Sequence, residues 1–333
     1  MAFTLSDVAL SVLDQLAALL NTLIALLILL PGSAVYAACC CVRNTRYKPT
    51  SVAITGATSG IGEALALRYA ESGRHLALSG RNEVALQRVA EQCRARGAIV
   101  TTAACDVTDA DAVKAWLLAA DAAAPVDLVI ANAGVTEGTL GMNGAANPEA
   151  TTRAVFAVNV DGCWNTIFPL LSCMRERGRG QIAILSSLAG NAPFPVTAAY
   201  SASKAAVRFY GEALRLLMYR DGVRVSVVQP GYVASPMTAM NKFPMPGLIQ
   251  MRDAVEAIVC GLELDQPTIA FPPSTVVLTR LVGSVPWLIR DLIARSRWVP
   301  QLSYLRHRTG RATGTSAEPL NLHAGTTAPD TGT

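Results

Sequence analysis

What the chain has little of narrows its function first. Charged residues make up only 16% of its 333 residues, against about 25% in an ordinary soluble protein. That shortfall points to membrane contact or to an unusually buried sheet. Aromatic residues are 6% and the formal net charge is +4, which argues against nucleic-acid binding. The eight cysteines contain no C-x-x-C pair, and the three histidines, His75, His307 and His323, lie far apart. No structural metal site is expected from such spacing. Cys93, Cys105, Cys163, Cys173 and Cys260 stand singly in apolar surroundings, as reduced core thiols do.

One stretch lacks charge altogether. Between Asp14 and Arg43 lie 28 uncharged residues with "LAALLNTLIALLILL" at their centre, and about 20 apolar residues span a bilayer. The expectation is a single-pass membrane anchor. Asn21 and Thr22 weaken it, and Pro31-Gly32 would kink or end the helix. A cleaved signal peptide is the rival, but Asp7 and Asp14 give its first segment the wrong sign. A buried soluble helix is the plainer alternative. Arg43, Arg46 and Lys48 follow the run, so the positive-inside rule puts the rest of the chain in the cytosol. The membrane would be the endoplasmic reticulum in a eukaryote or the inner membrane in a bacterium. Cys39, Cys40 and Cys41 are either acylation sites or an apolar helix end.

From Ser51 onward the pattern changes. "SVAIT", "HLALS", "IVTTA", "DLVIA", "QIAILS", "VRVSVV" and "TIAF" read as seven strands, nearly continuous in apolar residues, as in a sheet covered on both faces. Helical patterns fall between them at 61–72, 82–96, 148–175 and 200–220. Such alternation implies an α/β domain with a parallel, doubly wound sheet. No internal repeat or Pro/Gly-rich linker interrupts 50–272.

The end of the chain is different again. Six arginines (Arg280, Arg290, Arg295, Arg297, Arg306 and Arg308) accompany one acid, Asp291. Leu281, Val285, Leu288 and Leu292 recur at helical spacing, with Trp287 and Trp298 nearby. A basic amphipathic stretch over 275–299 suits a membrane surface; a lid or a subunit contact, as in a homodimer, is the other reading. Beyond Thr309 the Thr/Gly/Ala/Pro-rich composition is that of a disordered tail.

The chemistry starts at "ITGATSGIGEAL". Three glycines, Gly56, Gly60 and Gly62, separate a strand pattern from a helical one, placing backbone N–H groups where a pyrophosphate can sit. Such a loop is weak evidence alone. Further residues join it in order: Asp106 after the third strand, "NAG" at 132–134 after the fourth, then Asn159, "ILSS" ending at Ser187, "YSASK" with Tyr200 and Lys204, and "PGYVAS" at 230–235.

Assembled, these motifs resemble the short-chain dehydrogenase/reductase family over about residues 50–272. The resemblance implies a Rossmann-type domain over 49–274, preceded by the anchor and its basic flank (1–48) and followed by the amphipathic extension (275–308) and the tail (309–333). It implies that Asn159, Ser187, Tyr200 and Lys204 are catalytic. Gly56, Ser59, Gly60, Ile61, Gly62, Arg81, Asp106, Asn132, Tyr200, Lys204, Pro230 and Val233 would hold a dinucleotide. Ser187 is preferred to Ser186 because it lies thirteen residues before Tyr200.

The chemistry is coherent on its own terms. Reducing a ketone needs a proton for oxygen as well as a hydride for carbon, and a phenol with a pKa near 10 is a poor acid/base at neutral pH. Lys204, at i+4, shares a helix face with Tyr200, and its charge is expected to lower the phenol's pKa. Ser187 would hold the carbonyl oxygen, and Asn159 would keep a water in line. In place of the acid that usually marks NAD use at the second strand's end stand Gly80 and Arg81. An arginine there pairs with a 2′-phosphate, so NADP(H) is expected, with Ser79 and Asn82 assisting.

The substrate is read from a loop. Met237, Met240, Phe243, Met245, Leu248, Ile249 and Met251 follow the sixth strand. Either they cover a greasy ligand, to which methionine adapts well, or they pack as a lid on their own core. Anchor and apolar loop together resemble relatives that act on steroids, retinoids, 3-ketoacyl thioesters or 3-ketosphinganine. The reading is an NADPH-dependent reductase of a lipophilic ketone or aldehyde; the alternative from another class is a non-catalytic NADP-binding scaffold or redox sensor.

Overall fold

The computed structural model describes residues 47–141, 148–241, 244–286 and 289–292. The expected N-terminal anchor, the cysteine triplet, Phe243, Trp287, Leu288 and everything from 293 on lie outside the described residues.

Seven strands form one parallel sheet in the order β3-β2-β1-β4-β5-β6-β7. They are β1 (Ser51–Thr55), β2 (His75–Gly80), β3 (Ile99–Ala104), β4 (Leu128–Ala131), β5 (Gly180–Leu185), β6 (Val223–Pro230) and β7 (Thr268–Phe271). Each lies within two residues of where the apolar runs place it. β1, β4 and β5 are buried on both faces, and β6 is so except at Arg224, as helices on both sides require. β3 is the exception: it ends the sheet and is only partly covered, with Ile99 at 51% exposure.

Helices α1 (Gly60–Tyr69), α2 (Glu83–Arg94) and α8 (Met251–Glu263) cover one face. There Leu65, Leu86, Val89 and Ile258 pack on Ile54, Leu78 and Ile130. Helices α3 (Ala110–Ala123), α5 (Gly162–Glu176) and α6 (Ala198–Met218) cover the other. Ile167, Leu170, Met174, Val207 and Leu214 pack there on Val129, Ile182, Ile184 and Val225. The helix read over 148–175 is present, with one irregular turn. A π turn, Ala157–Asp161, separates α4 (Pro148–Phe156) from α5. Its widened ring closes through the Gly162 N–H on the Ala157 carbonyl, and such bulges gather at functional sites. Pro148–Glu176 is the one run among the described residues long and apolar enough to cross a membrane, yet Ile167, Leu170 and Met174 of α5 sit in the protein core. The five described cysteines are free, and Cys260, expected in the core, is exposed on the outer side of α8.

The Met-rich loop after β6 packs in part on the protein's own core. It holds the short helix α7 (Pro236–Ala239), but Ile249 and Met251 pack against the core, while Met240 and Leu248 are exposed. The amphipathic extension is also corrected. Helix α9 runs Pro273–Ser284 and stops at Val285, which is extended because Pro286 disfavours a helical residue before it. The helix that carries Leu281 therefore does not continue through Val285. The 274/275 boundary falls in its first turn, and Thr275 and Thr279 are buried. Asn191 Nδ2 donates to Thr279 Oγ1 at 3.3 Å.

The sheet order reverses between β1 and β4, so a crevice opens beyond their carboxyl ends. Thr55 seals its floor. Its hydroxyl donates to the Ile130 carbonyl at 3.4 Å and accepts from the Asn132 N–H at 3.2 Å. Thr55→Val keeps the shape but strands that N–H in a place where Thr55 is 1% exposed. We expect a loss of about 1–3 kcal/mol in urea unfolding; an unchanged midpoint would show that the seam does not depend on this hydroxyl.

Candidate active site

The glycines after β1 have separate tasks. Gly56 and Gly60 adopt φ of +66° and +58°, a region that glycine enters without steric cost. Gly62 has an ordinary backbone, but a Cβ on it would strike the Gly56 carbonyl and the Asn132 amide. The first two turn the chain, and the third lets α1 start flush against the "NAG" turn. Asn132 completes the seam, its Nδ2 donating to the Thr55 carbonyl at 2.9 Å and the Gly56 carbonyl at 3.2 Å. Exposed Ser59 stands at the N-cap of α1 without a side-chain capping bond, so the first-turn N–H groups are free to meet an anion. Ile61 packs against the core behind them. This bare-backbone cradle fits the pyrophosphate of a dinucleotide.

At the end of β2, a Cβ on Gly80 would come 2.5 Å from Thr58 Cγ2. No acid fits there while Thr58 keeps its place, which accounts for the missing carboxylate. Arg81 reaches outward, with its Nη1 3.7 Å from Asp106 Oδ2 and 63% of its side chain exposed. An exposed pair of this kind contributes about 0–1 kcal/mol, so a ligand phosphate can displace Asp106 from it. Asp106 itself is held by the Thr108 N–H and hydroxyl, both at 2.9 Å. Ser79 and Asn82 both have partners within the protein. Ser79 is fully buried with its hydroxyl 3.1 Å from Cys105 Sγ, and Asn82 Oδ1 caps α2 through the Ala85 N–H.

The catalytic candidates meet between β5, the π turn and α6. The Ser187 hydroxyl stands within electrostatic reach of Tyr200, accepts from the Ala189 N–H at 3.1 Å and donates to the Pro230 carbonyl at 3.4 Å. Ser186 is used otherwise, donating to the Lys204 carbonyl at 2.7 Å. Lys204 is buried, and its Nζ donates to the Leu185 carbonyl at 2.7 Å, 5.7 Å from the Tyr200 ring centre. Gly134 lets it approach Asn159: a Cβ there would lie 3.2 Å from Lys204 Nζ and 3.3 Å from Asn159 Oδ1. Val233, on the far side, is buried and bridged to Ile249.

One expectation, a lowered Tyr200 pKa, is reversed in direction. Tyr200 has its pKa raised, chiefly by burial and further by the Glu137 carboxylate, while the Ser187 hydroxyl works in the opposite direction. Lys204 is pulled down to about 8, because burial penalises its charge. Asn159 spends both amide protons on protein, on the Val135 carbonyl at 3.0 Å and the Ser203 hydroxyl at 2.9 Å, and its Oδ1 accepts from the Val135 N–H. Its side chain ties the π turn to the "NAG" loop and α6 and does not present an N–H to water. Thr55, Thr58, Ser203 and Glu137 were missed in the sequence because each acts through a partner remote along the chain. Only the threonine beside Gly56 carried a local signal.

Comparison with known proteins agrees with this geometry. A cradle for a dinucleotide beside a Ser-Tyr-Lys set defines an oxidoreductase of alcohol and carbonyl groups. The model of the family described as short chain dehydrogenase matches residues 50–244, and the chain belongs to that family. An uncharacterized oxidoreductase of Myxococcus xanthus is 40% identical over 243 residues, 73% of this chain and 95% of that protein. A galactitol 2-dehydrogenase (L-tagatose-forming) of Cereibacter sphaeroides is 34% identical, covering 70% of this chain and 87% of its own length. A short chain dehydrogenase/reductase from Burkholderia phymatum, solved in complex with NAD, superposes with a TM-score of 0.63 at 25% identity, over 71% of this chain and 93% of that one.

Tyr200, half-buried, makes a prediction about the free protein through its raised pKa. Its phenol should stay protonated through neutral pH and ionise above the ordinary value of 10.0. The phenolate absorbance difference between wild type and Tyr200→Phe tests this. A difference that saturates below about pH 9 would mean that Lys204 activates the phenol before any cofactor binds.

Proposed function

We propose that the chain is an NADPH-dependent carbonyl reductase acting on a lipophilic ketone or aldehyde at a membrane surface. The Ser187–Tyr200–Lys204 arrangement beside the glycine cradle carries the reading. The residues have separate tasks: Ser187 holds the carbonyl oxygen, Tyr200 delivers the proton, and Lys204 steadies the ribose side of the site from beneath Gly134. A nicotinamide dinucleotide, held by the first turn of α1, Asn132 and the segment from Pro230 to Val233, supplies the hydride. A phenol kept protonated by burial is the correct starting state for reduction, since it has a proton to give. A scaffold without turnover would not need a buried lysine, whose charge opposes burial.

The preference for NADPH rests on Arg81 and on the steric bar to an acid at position 80. The membrane reading rests on the uncharged N-terminal run and on α9, where the usual amphipathic order is reversed. Its inner side carries Thr275 and Thr279, while Val277, Leu278, Leu281 and Val282 are 38–51% exposed, with Arg280 beside them. Apolar residues with a flanking arginine suit the headgroup boundary of a bilayer. The exposed Met240 and Leu248 near the site favour a greasy substrate.

Two experiments test this. A panel of lipophilic ketones is assayed with NADPH and NADH on wild type, Tyr200→Phe and Arg81→Asp. Wild type should turn over with NADPH, and Tyr200→Phe should be slower by about 10²–10⁴-fold. Arg81→Asp should lose about tenfold or more in NADPH affinity and shift its preference toward NADH. Near-normal activity in Tyr200→Phe sinks the mechanism, and an unchanged cofactor preference in Arg81→Asp removes the phosphate from this place.

The second compares vesicle binding of a chain beginning at Arg43 with its Leu278→Glu/Leu281→Glu variant. The parent should bind anionic vesicles at low salt and release above roughly 0.1 M, where exposed charges are screened beyond about 10 Å, and the variant should not bind. Equal binding by both proteins, or none by the parent, takes α9 out of the membrane reading.

A further inference from the structure

One buried charge near Tyr200 is unaccounted for by hydride and proton transfer. Glu137 lies three residues past the "NAG" turn, in a tight bend closed by two threonines. The Thr136 N–H donates to Thr139 Oγ1 at 2.7 Å, and the Thr139 N–H donates to Thr136 Oγ1 at 3.1 Å. Glu137 is 7% exposed although it sits in a loop between exposed and half-buried neighbours. Its Oε1 accepts from the backbone N–H of Tyr200 at 3.2 Å. Tyr200 is the third residue of α6, and Thr197, at that helix's own N-cap, gives no side-chain capping bond. Glu137 therefore caps the catalytic helix from a distant part of the chain.

The cap uses one oxygen. The other, Oε2, is buried without a hydrogen-bond partner, and no lysine or arginine among the described residues pairs with Glu137. The positive end of 21-residue α6 offsets part of the charge. A buried carboxylate normally finds a partner for both oxygens, because an unpaired charge in a desolvated place is costly. If helix capping were the whole role, a glutamine would serve it without the charge. The acid also opposes Tyr200 by raising its pKa, so it stands within electrostatic reach of the reacting hydroxyl. The loop over the site meets the same bend, since a Cβ on Gly138 would lie 3.9 Å from Met240 Cε. The carboxylate thus sits on the Tyr200 backbone, one residue from the bend's approach to an exposed methionine, and a substrate's own cation would supply its missing partner.

We propose that Glu137 Oε2 is the anchor for a protonated amine of the substrate, and that the preferred substrates are apolar ketones carrying an ammonium group close to the reacting carbonyl. This rests on the carbonyl-reductase reading for its chemistry. The anchoring itself is a binding event and is measured without turnover.

The test uses octylamine and octanol as probes of the free protein, and a matched pair of alkyl ketones, one with an amine beside the carbonyl and one with a hydroxyl there. Glu137→Gln keeps an oxygen for the Tyr200 N–H and removes the charge. In wild type, octylamine should raise the thermal midpoint more than octanol does, and Glu137→Gln should erase that difference. The ratio of kcat/KM for the amino ketone over the hydroxy ketone should fall about tenfold or more in the variant, as expected for a lost charge-assisted contact. A wild type that binds octanol as well as octylamine overturns the proposal, whether or not the variant folds. So does a variant in which both ketones lose equally, because Glu137 then only positions the helix. Octylamine selectivity that disappears in Glu137→Gln, together with no reduction of either ketone, keeps the cation site and overturns the reductase reading instead.

Discussion

The close approach of two turns underlies the site. The Gly56 turn after β1 and the "NAG" turn after β4 meet where the strand order reverses, and nothing larger than hydrogen fits on Gly62 between them. Asn132 bridges the strands by donating to Thr55 and Gly56 carbonyls, and Thr55 returns its hydroxyl to the Asn132 N–H. The cofactor cradle thus has walls of backbone rather than of side chains, and backbone is the part of a protein with least freedom to relax. From the same "NAG" loop the chain runs on through Gly134, under which Lys204 and Asn159 approach, to Glu137, which caps α6. Cofactor floor and catalytic helix are therefore attached to one short segment.

Electrostatics at the catalytic set follows from burial more than from pairing. Lys204, Tyr200 and the thiol of Cys163 are each moved toward neutrality by desolvation, the thiol pushed up to about 12. Opposite charges that would restore the ionised forms are not adjacent: Lys204 points at a carbonyl, and Glu137 lies on the side of Tyr200 where its charge discourages ionisation. Such a set favours giving a proton over taking one.

How much of this was legible in the sequence depends on the range of each interaction. The strands were legible because a sheet covered on both faces demands continuous apolar runs, and "SVAIT" or "QIAIL" has no other use for them. The glycine cradle and the Tyr-Lys pair were legible because their spacing is local. The π turn at Ala157–Asp161 was not, since a single widened turn inside a long helix has no distinctive composition. Nor was the engagement of Ser79 and Asn82, whose partners Cys105 and Ala85 are set by packing and by helix onset. The expected lowering of the Tyr200 pKa failed for a related reason: i+4 spacing places two side chains on one face but does not say which way a lysine amine turns.

Helix α9 brings the outer surface into contact with this chemistry. Its buried threonines are the side chains that hold it to the protein: Thr279 accepts from Asn191, and Gly283 is a glycine because a Cβ would strike the Asn191 carbonyl. Asn191 ends the short turn Leu188–Asn191, whose N-cap is Ser187. Arg208 of α6 donates to Asn191 Oδ1 at 3.1 Å, so the same asparagine also touches the helix that carries Tyr200 and Lys204. An apolar helix surface seldom faces water without a reason. The outer side of α9 is joined through Thr279 and Asn191 to the turn whose N-cap is Ser187.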